Sequence, residues 1–131
     1  PDWIGYFGEA DLADEKAHCF FSLGQHRHAE REATTAIGLL PPSRARRLTI
    51  DTALRASALA RAGDLDHACA VGREAIDHAT STASFRSIHR IVLMLAELYP
   101  YADVPQARDL AEYARNRLPT APTLTDASHN F

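Results

Sequence analysis

Apolar residues recur along this chain at steps of three and four, and no stretch alternates β-branched with polar residues, so helices are expected and sheet is not. After an apolar lead-in at residues 1–8, Leu12, Ala13, Ala17, Phe20 and Leu23 form one stripe from Glu9 to Leu23, which Gly24 ends. A second stripe of Ala29, Ala33, Ala36, Ile37 and Leu40 runs from His28 until Pro41-Pro42 forbids continuation. The third helix, Arg44 to Ala62, carries Leu48, Ala53 or Leu54, Ala58 and Leu59 on its inner side, with Ser43 placed to cap it and Gly63 to stop it. Asp64 or Asp66 is placed to cap a fourth, Asp66 to Ala79, before the polar loop Thr80-Ser81-Thr82. A fifth spans Ser84 to Tyr99, with Ile88, Ile91, Val92, Leu95 and Leu98 inside, and Pro105 opens a sixth ending at Leu118. Residues 119–131 read as a polar, disordered tail.

The second and fourth helices repeat one another. Gly24, His28, Ala29, Ala36 and Ile37 recur as Gly63, His67, Ala68, Ala75 and Ile76 at a constant spacing of 39 residues. Glycine allows the sharp turn between antiparallel helices, and alanine the close approach of a stacked hairpin. The same spacing reaches Leu98, Ala107 and Ala114, but puts Ala102 where the turn glycine stood, so the third copy is degenerate. The expected architecture is all-α, with hairpins at about 9–40, 44–79 and 84–118 forming one domain over residues 9–118.

Composition narrows the function classes. A chain of 131 residues with 46% hydrophobic and 24% charged positions is large enough to bury a core without disulfides or metals. A formal charge of -3 supplies no basic field, so direct nucleic-acid binding by this chain is not expected. Thirteen arginines against one lysine, with abundant alanine, point to a GC-rich bacterial genome. No apolar run is long enough to span a bilayer and no charged-then-apolar leader opens the chain, which leads to a cytoplasmic expectation. Because it starts at Pro1 without methionine, the chain reads as a piece of something longer.

Candidate chemistry is sparse. Cys19 and Cys69 both fall in alanine-rich helical stretches and read as buried thiols acting as small apolar residues. His18, Cys19, His26 and His28 lie close together, with His67 and Cys69 in the next repeat, but no second Cys or His follows at helical spacing, so neither metal nor cofactor is expected. No nucleophile elbow, phosphate-binding glycine loop or HExxH pattern is present, and Asp64 and Asp66 read as capping carboxylates, so no enzyme is expected. Arg44, Arg46 and Arg47 are the one basic cluster, in first turns where the helix dipole disfavours cations. They read either as a solvated face or as guanidinium forks for a partner's carboxylate or phosphate.

Leu23-Gly24 with Ala29 and Ala36, then Ala62-Gly63 with Ala68 and Ala75, resemble the tetratricopeptide repeat (TPR) family over residues 9–118, although the usual period and several signature aromatics are missing. Together with the opening Pro-Asp-Trp, "AHCFFSLGQHRHAE" and "LAELYPYADVP", the chain is similar to the C-terminal TPR-like region of bacterial helix-turn-helix transcriptional regulators. That resemblance implies a short TPR-like solenoid of about six helices in three repeats, acting as a non-enzymatic sensor or dimerisation module. The alternative is a free-standing TPR-like adaptor for protein–protein interaction. In such stacks the first helix of each hairpin lines a concave groove. Here that selects Asp14, His18 and Phe21, then Arg47, Ile50, Asp51, Leu54 and Ser57, then His89, Val92 and Tyr99, as contacts for a peptide, small effector or protein partner. Trp3, Tyr6 and Phe7 at one apolar end and the degenerate third hairpin at the other read either as caps of the stack or as a homodimer interface.

Overall fold

In the computed structural model, residues 2–82 and 84–118 are described, with side chains from Gly8 onward. They form α1 (Asp2–Ser22), α2 (His26–Gly38), α3 (Ala45–Arg61), α4 (Leu65–Thr80), α5 (Phe85–Glu97), a 3₁₀ turn (Tyr99–Tyr101) and α6 (Pro105–Arg117), and no strand occurs among them. None of these helices is long and apolar enough to cross a membrane. The tail at 119–131 and the side chains of Trp3, Tyr6 and Phe7 lie outside the described residues.

Two turns are built alike. Gly24 has φ +78° and Gly63 φ +86°, the left-handed region that glycine enters without steric cost. Gln25 N–H donates to Phe20 O at 2.8 Å and Gly24 N–H to Phe21 O at 3.0 Å. One repeat later Asp64 N–H donates to Leu59 O at 2.9 Å and Gly63 N–H to Ala60 O at 3.1 Å. This paired pattern satisfies the orphan carbonyls at each helix end and reverses the chain within two residues. The third connection differs, because Ala102 stays right-handed at φ -58° and the chain leaves α5 through the 3₁₀ turn instead.

The repeated alanines sit where helices touch. Ala29, Ala68 and Ala107 are fully buried, as are Ala36, Ala75 and Ala114. Between them in register stand Ala33, Gly72 and Ala111, all buried. A Cβ on Gly72 would come within 2.8 Å of Leu110 Cδ2, so this glycine makes room on α4 for a side chain of α6. α1 packs on α2, α2 on α3 and α3 on α4, while α5 lies mainly against α3 and α6 against α4. α5 and α6 approach α3 and α4 more closely than they approach each other.

The core is accordingly uneven. One large cluster joins α3 to α6 through Leu59, Ile76, Ile91, Met94, Leu95, Leu98 and Leu110, each such side chain contributing about 1.5–3 kcal/mol by leaving water. The first hairpin packs small residues instead, with Ala10, Ala13 and Ala17 buried on α1. Leu12 and Leu23, expected on that buried stripe, are 53% and 70% exposed, because the alanine face is the one that allows close approach to α2.

Several helix ends correct the sequence expectations. α1 begins at Asp2 and absorbs the lead-in; single glycines such as Gly5 and Gly8 only weaken a helix, by about 1 kcal/mol each. Ser43 does not cap α3, whose N-cap is Arg44 with no side-chain hydrogen bond. Asp64 occupies the N-cap of α4 without accepting a capping bond and lies 3.5 Å from His67 Nδ1. Ser84 caps α5 by accepting from Ser87 N–H at 3.1 Å. Cys69 is buried, but Cys19 is exposed.

Two substitutions separate the two kinds of glycine. Gly63→Ala places a Cβ in the left-handed region and is expected to lower stability by roughly 1–2 kcal/mol in urea unfolding. Gly38→Ala, at the end of α2 with nothing near the added Cβ, is expected to raise stability by about 0.5–1 kcal/mol. Equal effects of the same sign would contradict the assigned turn conformations.

Candidate functional site

α3 is buried over almost its whole length, from Leu48 through Leu54 and from Ala56 to Ala60. It therefore buries polar residues together with apolar ones, and one inward face carries Arg47, Ile50, Asp51, Leu54 and Ser57 at helical spacing. Opposite, α1 presents Asp14, His18, Phe21 and Ser22. The third wall comes from α5, which presents Arg86, Arg90, Leu93 and Glu97.

Two hollows lie along α3, one at each end. At the N-terminal ends of α3 and α5, a cavity of about 750 Å³ is lined by Arg44, Arg46, Arg47 and Arg86 together with the hydroxyls of Ser43, Ser81, Thr82 and Ser84. At the other end, a cleft of about 190 Å³ is lined by His18, Phe21, Leu54, Ser57, Arg90 and Leu93. Arg61 closes that end. Its guanidinium lies 4.7 Å from the Phe21 ring centre and donates twice to the Glu97 carboxylate at 2.7 Å. The Glu97 hydrogen bonds keep Arg61 more firmly charged than an ordinary arginine.

Between the two hollows lies an acid pair. Asp14, His18 and Asp51 each bring a potential ligand atom within 4.8 Å of the others, the only such group of three or more His, Cys, Asp or Glu among the described residues. His18 Nε2 stands 3.4 Å from Asp14 Oδ1, with the two side chains 29% and 22% exposed. Asp51 is fully buried, and neither of its oxygens meets an N–H or O–H donor. Burial raises the Asp51 carboxyl first, and sharing a proton with the nearby Asp14 charge raises it further, to about 9, against the opposing charges of Arg47 and Arg90. Burial also acts to raise Asp14, but His18, the proton shared with Asp51 and the Arg47 charge outweigh it and hold Asp14 well below the usual carboxylate range. The two carboxyls therefore titrate as a unit, Asp51 holding its proton to higher pH and Asp14 losing its own early. Burial likewise works against the Arg47 charge, but its bond from Nη1 to Asp11 at 2.9 Å and the charges of Asp14 and Asp51 sustain it.

Of the residues expected to line a groove, Arg47 and Ile50 border the larger cavity and His18, Phe21, Leu54 and Ser57 the cleft, while Asp14 and Asp51 cluster with His18. His89, Val92 and Tyr99 do neither. His89 is exposed and stacks on Phe85 with ring centres 6.4 Å apart, Val92 packs against the large core, and Tyr99 is exposed in the 3₁₀ turn. The cause is the rotation of α5. Ile91, Met94 and Leu95 are the apolar residues that α5 buries, and Arg90, Leu93 and Glu97 stand on the side that lines the cleft with α1 and α3. His28 and His67 share a register but not a contact: His28 lies 5.1 Å from the Phe20 ring, whereas His67 meets Arg55 and Asp64. Cys19, His26 and His28 do not join the acid pair.

No protein-family model matches this chain. No curated protein matches it, and no solved structure does.

The shared proton has a pH signature. A carboxyl raised in the folded state contributes stability below its unfolded pKa and loses it as pH climbs toward the folded value, so Asp51 costs stability between about pH 4 and pH 9. Asp51→Asn keeps a donor beside Asp14 at every pH. In metal-free buffer the variant is expected to gain on the wild type by at least about 1 kcal/mol between pH 5.5 and 8.5, the equivalent of one pKa unit. Parallel loss of stability in both proteins would show that no proton is shared.

Proposed function

We propose that this chain is a non-enzymatic binding module whose groove receives an acidic peptide segment with apolar side chains. The carrying observation is the order of residues along α3: Arg47 beside the arginine-lined cavity, Asp51 at the floor, then Leu54 and Ser57 in the apolar cleft. Arg46 and Arg86 are exposed, and the cavity they share also lies at the N-terminal ends of two helices, whose unpaired N–H groups favour anions. A carboxylate or phosphate fits guanidinium forks there, while Phe21, Leu54 and Leu93 accept an aliphatic or aromatic side chain one to two helical turns away.

The repeated turns and buried alanines support reading the hairpins as a short TPR-like stack, in which such a groove is the concave face. In the same reading the module is the sensor or dimerisation part of a bacterial transcriptional regulator. Sequencing the reading frame upstream of Pro1 checks that part, with a helix-turn-helix region as the expected result. A start codon with no such region would leave an adaptor and remove the regulator.

A peptide array tests the groove itself. Bound peptides are expected to combine Asp, Glu or phosphoserine with a nearby Leu, Ile or Phe, and Arg46→Glu/Arg86→Glu is expected to weaken them at least about tenfold, the effect of losing charge-assisted bonds worth roughly 1.5–3 kcal/mol. Leu93→Glu should weaken the same peptides. Recovery of basic peptides, or binding indifferent to both variants, would contradict the proposal.

A further inference from the structure

The floor of the groove offers a second kind of ligand site, independent of what the groove receives. Asp14 and His18 are four residues apart on α1 and so project from one side of the helix, and Asp51 reaches them from α3. Two carboxylates and an imidazole form a donor set of borderline hardness, suited to zinc and neighbouring divalent ions. The spacing fits as well. A tetrahedral zinc site with bonds of about 2.0–2.2 Å places neighbouring ligand atoms roughly 3.4 Å apart, and His18 Nε2 and Asp14 Oδ1 stand 3.4 Å apart without metal. The third donor, from Asp51, lies within 4.8 Å of both.

A separate observation points to a cation. Asp51 is 0% exposed, its side chain reaches into this cluster, and neither of its oxygens accepts from an N–H or O–H donor, so an ionised Asp51 is left uncompensated. We propose that Asp14, His18 and Asp51 bind one divalent metal ion of the zinc class, joining α1 to α3 at the groove floor. The two helices otherwise meet sparsely at the backbone, so a bond through metal would fix the groove's width. The surrounding charge permits a dication: Asp11 and the two ligating carboxylates stand against Arg47, with Arg90 facing Asp51 from α5. Three protein ligands leave a fourth position on the exposed side of His18 and Asp14, open to water or to an anionic group in the groove.

The test uses the full chain stripped with a chelator and titrated with Zn²⁺ against a chromogenic competitor at neutral pH. The expected result is one equivalent bound, with affinity at least about tenfold weaker in Asp51→Asn and in His18→Gln, and unchanged in Cys19→Ser/His28→Gln. X-ray absorption of the wild-type complex keeps the test decisive if a variant fails to fold: a shell of oxygen and nitrogen with one imidazole and no sulfur is expected. Absence of saturable uptake, full affinity in Asp51→Asn, loss of binding in Cys19→Ser/His28→Gln, or sulfur in the metal shell would each overturn the proposal.

Discussion

A helix packed on nearly every side must either be apolar all round or bury polar groups, and α3 does the second. It carries Thr49, Asp51, Thr52 and Ser57 into the interior. Three of the four find ordinary solutions or cost little. Thr49 and Ser57 donate to the carbonyl four residues back, at 2.8 and 3.0 Å, and an unpartnered Thr52 hydroxyl is a modest penalty. Asp51 has no such route, because a carboxylate has no proton to give its own helix. Its only accommodation within the chain is a proton held with Asp14, so the position of α1 against α3 and the electrostatics of the groove become one problem.

The rest of the fold delivers α3 to that place. Gly24 and Gly63 reverse the chain by the same hydrogen-bonded turn, and the buried alanines at a spacing of 39 residues bring successive second helices close to their neighbours. Where the turn glycine is replaced by Ala102, the hairpin opens: α5 settles on α3 and α6 on α4. That departure gives the groove its third wall, since it sets Arg86, Arg90, Leu93 and Glu97 along α3. The degenerate third copy therefore shapes the site as much as the two regular copies do.

Much of this was legible before any coordinates. The six helices follow from period and punctuation, and the turn glycines from their repeat, because both depend on local chemistry that a single residue type reports. The inward positions of α1 and α3 follow from helical spacing for the same reason. The face of α5 was not legible. Its buried side runs through Ile91, Met94 and Leu95, and which neighbours that side and its flanks meet is decided by packing on α3 and α4, which no single residue of α5 reports. Capping also misled at Ser43 and Asp64, where the right residue type stands near the right place while its side chain makes no capping bond. The Asp14–Asp51 pairing was out of reach, because nothing local to either residue reports a neighbour on a different helix.

The most direct measurement follows the side-chain carboxyl carbons of the aspartates by NMR through a pH titration of the metal-free chain. Burial of Asp51 on α3 against Asp14 predicts one aspartate still protonated at neutral pH and ionising near 9, beside another ionised below the usual carboxylate range. Ionisation of every aspartate near pH 4 would contradict that arrangement and, with it, the assigned floor of the groove.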